Sequence, residues 1–117
     1  MPYLLLIMED RDRRGNRSAD GARQEYDRML GFVEDLKRRG VYQASESLKP
    51  VSKAVRIAVR GGKRIVADGP VAESREHLVG YYLIEARDLD EVIGIAERVP
   101  AARFGAVEVR PVKRVDA

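Results

Sequence analysis

Between Asp68 and Arg87 the chain gathers side chains able to move protons or donate hydrogen bonds: Asp68, Glu73, Glu76, Glu85, the single histidine His77, and the adjacent Tyr81 and Tyr82. Asp68 ends an apolar segment and is followed by Gly69 and Pro70, which restrict the local backbone. A carboxylate held there at the mouth of an apolar cavity could act as a general base, with Gly69 and Pro70 shaping the loop around a ligand. An aspartate before Gly-Pro equally caps a turn through its side chain. His77 could act as a general acid or base and would share a helical face with Glu73 if Ala72 to Leu78 formed a short helix. With no third orienting group in view, a surface or interface histidine is the competing reading.

Tyr81 and Tyr82 alternate across a strand, so one faces the helices and the other a barrel interior, where its hydroxyl could reach a ligand. Glu108 and Arg110 share the strand face opposite Val107 and Val109, placed either to pair with each other or to meet a ligand carboxylate. Ser45 and Ser47 have no identifiable base, which leaves a nucleophilic serine without support. A lone histidine among scattered acids does not make a zinc site, and no metal or other cofactor is expected.

The elements that must position these groups follow from periodicity. Tyr3 to Met8 is continuously apolar, the pattern of a strand buried on both faces. It is far shorter than the roughly 20 residues of a membrane span. Ala22, Tyr26, Met29, Leu30, Val33 and Leu36 mark one face of a helix from about Asp20 to Arg39, stopped at Gly40. Val41 to Ser47 is a short strand. Val55 to Arg60 and Lys63 to Ala67 flank Gly61-Gly62 as a hairpin. Gly80 to Ala86 reads as a central strand. Asp88 and Glu91 then open a second helix that Pro100 ends, and Ala106 to Val112 is the last strand. The order predicts an α+β, ferredoxin-like βαββαβ core with an inserted β-hairpin. Both helices cover one sheet face in that fold, so two copies packing their open faces together would bury the rest, and a homodimer is expected.

The chain has 117 residues, no cysteine and a net charge of +3, from 22 basic against 19 acidic residues. That length suits one domain over residues 1–117, and the absence of cysteine suits a cytoplasmic setting. Arg11, Arg13, Arg14 and Arg17 form the densest basic patch, read as a solvated loop because Asp12, Gly15 and Asn16 interrupt it and no stacking aromatics accompany it. Neither nucleic acid nor a membrane is an expected partner.

Several segments together carry a family resemblance: Tyr3 to Ile7, Leu48-Lys49-Pro50, Gly62-Lys63, Asp68-Gly69-Pro70, Glu73 to Leu78, Gly80 to Ala86, and Val107 to Pro111. They resemble the YCII-related proteins, specifically the DGPF subgroup. The resemblance implies a dimeric α+β barrel and says less about activity. Most members have no known reaction, some DGPF proteins are encoded beside or fused to extracytoplasmic-function sigma factors, and a distant relative is a dehydrochlorinase acting on a hydroxylated aromatic. Better-studied members carry a histidine on the first helix thought to pair with an aspartate, but no histidine occurs between Asp20 and Leu36. Val71 stands where phenylalanine is usual, and His77 where glutamine is common.

The expected function is binding of a small apolar or aromatic molecule in the barrel cavity, through Asp68, Gly69, Pro70, one of Tyr81 and Tyr82, Glu108 and Arg110. The alternatives are a cofactor-independent isomerase or lyase with Asp68 as base, and a partner of a sigma factor.

Overall fold

A computed structural model describes residues 1–69 and 75–115. Strand β1 (Pro2–Asp10) leads into a one-turn helix α1 (Arg13–Asn16) and the long helix α2 (Ala19–Arg38). Strand β2 (Tyr42–Ser47) and a 3₁₀ turn (Val51–Lys53) precede the hairpin β3 (Val55–Arg60) and β4 (Lys63–Asp68). Strand β5 (Glu76–Glu85), helix α3 (Leu89–Glu97), a second 3₁₀ turn (Pro100–Arg103) and strand β6 (Ala106–Pro111) complete the chain. The main sheet is antiparallel in the order β2-β5-β1-β6, while β3 and β4 pair only with each other. This is the ferredoxin-like arrangement expected from periodicity, with the hairpin inserted between β2 and β5 and with β5 central.

Local chemistry explains the boundaries. The Ser18 hydroxyl caps α2 by accepting the Gly21 N–H at 2.9 Å. The helix is followed by Gly40 at φ 75°, a left-handed conformation that glycine adopts without strain. Asp88 caps α3 by accepting from the Glu91 N–H, and Glu91 reaches back to the Arg87 N–H, one residue before the cap. Gly61 and Gly62 both take positive φ, as a tight turn between right-twisted strands requires.

Burial shows which face of the sheet is covered. On β1, Tyr3, Leu5, Ile7 and Glu9 are buried and the alternate residues are half-exposed, so the continuous apolar run has one covered face rather than two. Those side chains join Tyr82 and Ile84 of β5, Phe32 and Leu36 of α2, and Val92, Ile95 and Val99 in a single core. Each fully buried Leu, Ile or Val there contributes roughly 1.5–3 kcal/mol through loss of contact with water.

Strand β5 begins at Glu76, earlier than the apolar pattern indicated, because β1 continues through Asp10 and offers it a partner. His77 and Leu78 are thus strand residues, which overturns the short helix considered for Ala72 to Leu78. Between Ile7 and Met8 the register slips: Ile7 faces Gly80, but Met8 faces Leu78. Val79 is left as the extra residue of a β-bulge.

Candidate functional site

A cavity of about 380 Å³ lies between the helix-covered face of the sheet and the N-terminal half of α2. Four parts of the chain close it. The sheet supplies Ile7 and Glu9 of β1, the bulged segment Val79 to Tyr82 of β5, and Ser45 to Ser47 of β2. Helix α2 supplies Ala22, Glu25, Tyr26 and Met29, positions that fall on one helical face. The second 3₁₀ turn adds Pro100 and Ala101, Phe104 follows directly after it, and the segment after β1 adds Arg14 and Arg17.

The bulge and a glycine help make this space. Gly80 presents no side chain toward it, and a Cβ there would lie 2.9 Å from the Glu46 carbonyl on the neighbouring strand. Glu46 and Tyr81 are partners across β2 and β5, so their side chains share the open face of the sheet, and both residues border the cavity. Tyr82, two residues' worth of pleat away from Gly80, points its ring toward the helices and meets Phe32 edge-on at 5.3 Å.

The charged part of the site is an ion cluster that the chain builds by folding back on itself just after β1. Glu9 continues the buried stripe of Tyr3, Leu5 and Ile7 and is 2% exposed. An unpaired carboxylate there would carry a large desolvation cost. The turn of α1 brings two guanidiniums onto it: Arg13 Nη1 at 3.2 Å, and Arg14 through Nε at 3.3 Å and Nη2 at 3.1 Å. Arg13 also binds both oxygens of Glu25 on α2, and Arg17 Nη1 donates to Glu25 Oε2 at 2.5 Å. The hydrogen bonds from Arg13, and then those from Arg17, hold the Glu25 carboxyl below its ordinary value despite partial burial. Arg13 is further fixed by the Phe104 ring, whose centroid is 3.4 Å from the guanidinium carbon.

Burial, and next the nearby Tyr42, push the Tyr82 phenol up to about 12. Tyr82 is therefore a neutral hydrogen-bonding group at any physiological pH rather than a phenolate base. Ser45 shares a 2.8 Å hydrogen bond with the Tyr42 hydroxyl. Across the bulge, His77 stands directly opposite Glu9 on the neighbouring strand, half-buried, with Nε2 sealed from water and unpartnered among the described residues. Among those residues no group of three metal-ligating side chains converges.

The structure separates the residues that the sequence grouped. Tyr81 and Tyr82 both border the cavity, which lies on the helix side of the sheet and not on the open face where a barrel interior was expected. Asp68 is exposed at the end of β4, across from Val55, and Gly69 follows at φ 80° with its N–H donating to the Ala54 carbonyl at 2.7 Å. Neither lines the cavity. Pro70, with Val71, Glu73 and Ser74, lies outside the described residues. Glu108 and Arg110 pair with each other at 3.3 Å on the open face, opposite Leu6 and Leu4, and are exposed.

The larger difference concerns the basic patch. Arg11 is exposed, but Arg13, Arg14 and Arg17 are half-buried in the ion cluster and do not form a solvated loop. Two signals in the sequence pointed that way. Glu9 extends the odd-numbered stripe of β1, and Glu25 interrupts the apolar face of α2, three residues after Ala22 and four before Met29.

A family model described as the YCII-related domain matches residues 1–116. An uncharacterized protein of Rhizobium meliloti (strain 1021) is 32% identical over 96 residues, covering 77% of each chain. Among solved structures, the fold is similar to that of 5-chloro-2-hydroxyhydroquinone dehydrochlorinase from Burkholderia phenoliruptrix AC1100, solved in complex with 2,5-dihydroxybenzoquinone. The TM-score is 0.54 at 18% identity, over 98% of this chain and 96% of that one.

Proposed function

The chain belongs to the YCII-related family, and on that footing we propose that it binds a small ring-bearing molecule in the cavity between β1, β5 and α2. The observation that carries this reading is the cavity itself. Its volume of about 380 Å³ falls in the range of small-molecule sites, and Ile7, Met29, Val79 and Phe104 offer apolar surface beside a few fixed polar groups. The Tyr82 hydroxyl, uncharged and without a hydrogen-bond partner among the described residues, is available to orient a ligand. The dehydrochlorinase of similar fold was solved with a hydroxylated quinone, a ligand of the same size class.

The working form in this reading is a homodimer in the cytoplasm, with the half-exposed face of the main sheet and the apolar side of the β3–β4 hairpin covered by a second copy. Val55, Ile57 and Val59 are 57%, 66% and 61% exposed, far more apolar surface than an isolated two-stranded ribbon tolerates in water.

The cavity reading is tested by titrating simple benzenoid and quinonoid compounds into the protein and into Ala22→Phe, which fills the space from the α2 side. Binding at micromolar to millimolar concentration should be lost in the variant while its circular dichroism is retained. Equal binding by a folded Ala22→Phe protein would sink the assignment.

A further inference from the structure

Hydrogen-bond supply and demand around the cavity are unequal, and the imbalance has a sign. The Glu9 carboxylate accepts from Arg13 and Arg14 through both oxygens, and the Glu25 carboxylate accepts from Arg13 and Arg17 through both of its own. Each carboxylate is thus engaged through both oxygens, by two guanidiniums. The donors are in excess: a guanidinium carries five N–H groups, and among the described residues Arg14 uses only Nε and Nη2, and Arg17 only Nη1, with protein partners. Arg14 and Arg17 are also the two that line the cavity, whereas Arg13 is spent on both carboxylates and on the Phe104 ring. Three guanidiniums face two carboxylates, which leaves one positive charge. Glu46 does not cancel it, because its side chain stands with Tyr81 on the opposite face of the sheet.

We infer that the ligand of this cavity is a ring-bearing monoanion, a carboxylate or an ionised phenol, whose charged group is received by the free N–H groups of Arg14 and Arg17 while its ring lies against Met29, Val79 and Phe104. This rests on the cavity reading above and adds the ligand's charge and orientation to it. The planar fork of a guanidinium suits both oxygens of a carboxylate, and a pair already anchored by glutamates is held in place before the ligand arrives. A cation would be repelled by the cluster's excess positive charge. A neutral ring fills the apolar part but leaves the arginine donors unmatched.

Isothermal titration of the full chain with benzoate and with benzamide, alike in shape but differing in charge, tests the inference without any mutation. A second arm uses 4-nitrophenol on either side of its own ionisation, so that carboxylate and phenolate are distinguished. Benzoate or the phenolate should bind at least about tenfold more tightly than its neutral counterpart, the margin expected of charged hydrogen bonds. Arg14→Gln should erase that margin, and Ala22→Phe should remove the binding of all the probes. Equal affinity for charged and neutral probes, both lost in Ala22→Phe, would overturn the charge assignment and leave the cavity reading standing. Absence of binding by any probe at millimolar concentration, or binding that survives a folded Ala22→Phe, would overturn both.

Discussion

Glu25 shows how one residue can be ordinary in sequence and central in the fold. It sits on the apolar face of α2, where a carboxylate belongs only if it is paired, and its partners come from the turn that precedes the helix. Because the hydrogen bonds from Arg13 and Arg17 depress its folded-state value below the ordinary 4.5, the stabilisation it contributes is complete above that pH. It is lost as the pH falls through the folded value. Thermal melts between pH 6 and pH 3 should therefore show a steep acid decline in the wild type and a shallower one in Glu25→Gln, whose neutral amide has no proton to gain. Parallel curves would mean that Glu25 contributes nothing to acid stability. Glu9 and the three arginines were hard to recognise for the reason that hides Glu25: a charge run looks solvated until the burial of its counter-ions is known. Asp68 is the opposite case: a carboxylate beside Gly-Pro is conspicuous in sequence, and it stands exposed at the hairpin's end, away from this cavity.

At the scale of elements, the site depends on how strands are joined rather than on what they contain. The bulge at Val79 sets His77, and not Leu78, opposite Glu9, and the bulged segment borders the cavity. Nothing in the composition of Leu78-Val79-Gly80 announces it. The approach of the second 3₁₀ turn to β1 is equally specific. Gly105 lies so close that a Cβ would come within 2.2 Å of the Met8 carbonyl and 3.3 Å of the Glu9 Cγ. Gly105→Ala must push β6 and Phe104 away from β1, so it should destabilise the fold by about 2 kcal/mol or more in denaturant melts, at the upper end of overpacking effects. A near-neutral result would show that the approach is looser than described. The strands, both long helices and the hairpin were legible from periodicity, because a stripe of apolar residues at spacing two or 3.6 is a local property. The one-turn helix α1 was not, since four residues carry too little pattern to register.

The whole molecule is flat, with principal extents of 47 × 44 × 19 Å, and its radius of gyration of 16.2 Å exceeds the about 13 Å expected for a compact chain of this length. The hairpin accounts for part of this: β3 and β4 belong to a sheet of their own, and none of their side chains is fully buried. Light scattering at micromolar concentration should report twice the 13.2 kDa of one chain. Ile57→Thr combined with Val59→Thr, which keeps strand propensity but removes apolar surface, should weaken association at least about tenfold without unfolding the chain. A monomeric wild type would end the dimer reading. Among the described residues no helix is long and apolar enough to cross a membrane. Element order, fold class and family membership could be had from the order of residues alone, because each rests on short-range pattern or on motifs contiguous in the chain. The cavity could not. It joins Glu9 to Glu25 through Arg13, sets Phe104 over that guanidinium, and brings Arg14 and Arg17 into the cavity wall. Each of these contacts links residues that local periodicity treats as unrelated, so they exist only once the strands have paired and the helix has settled on them.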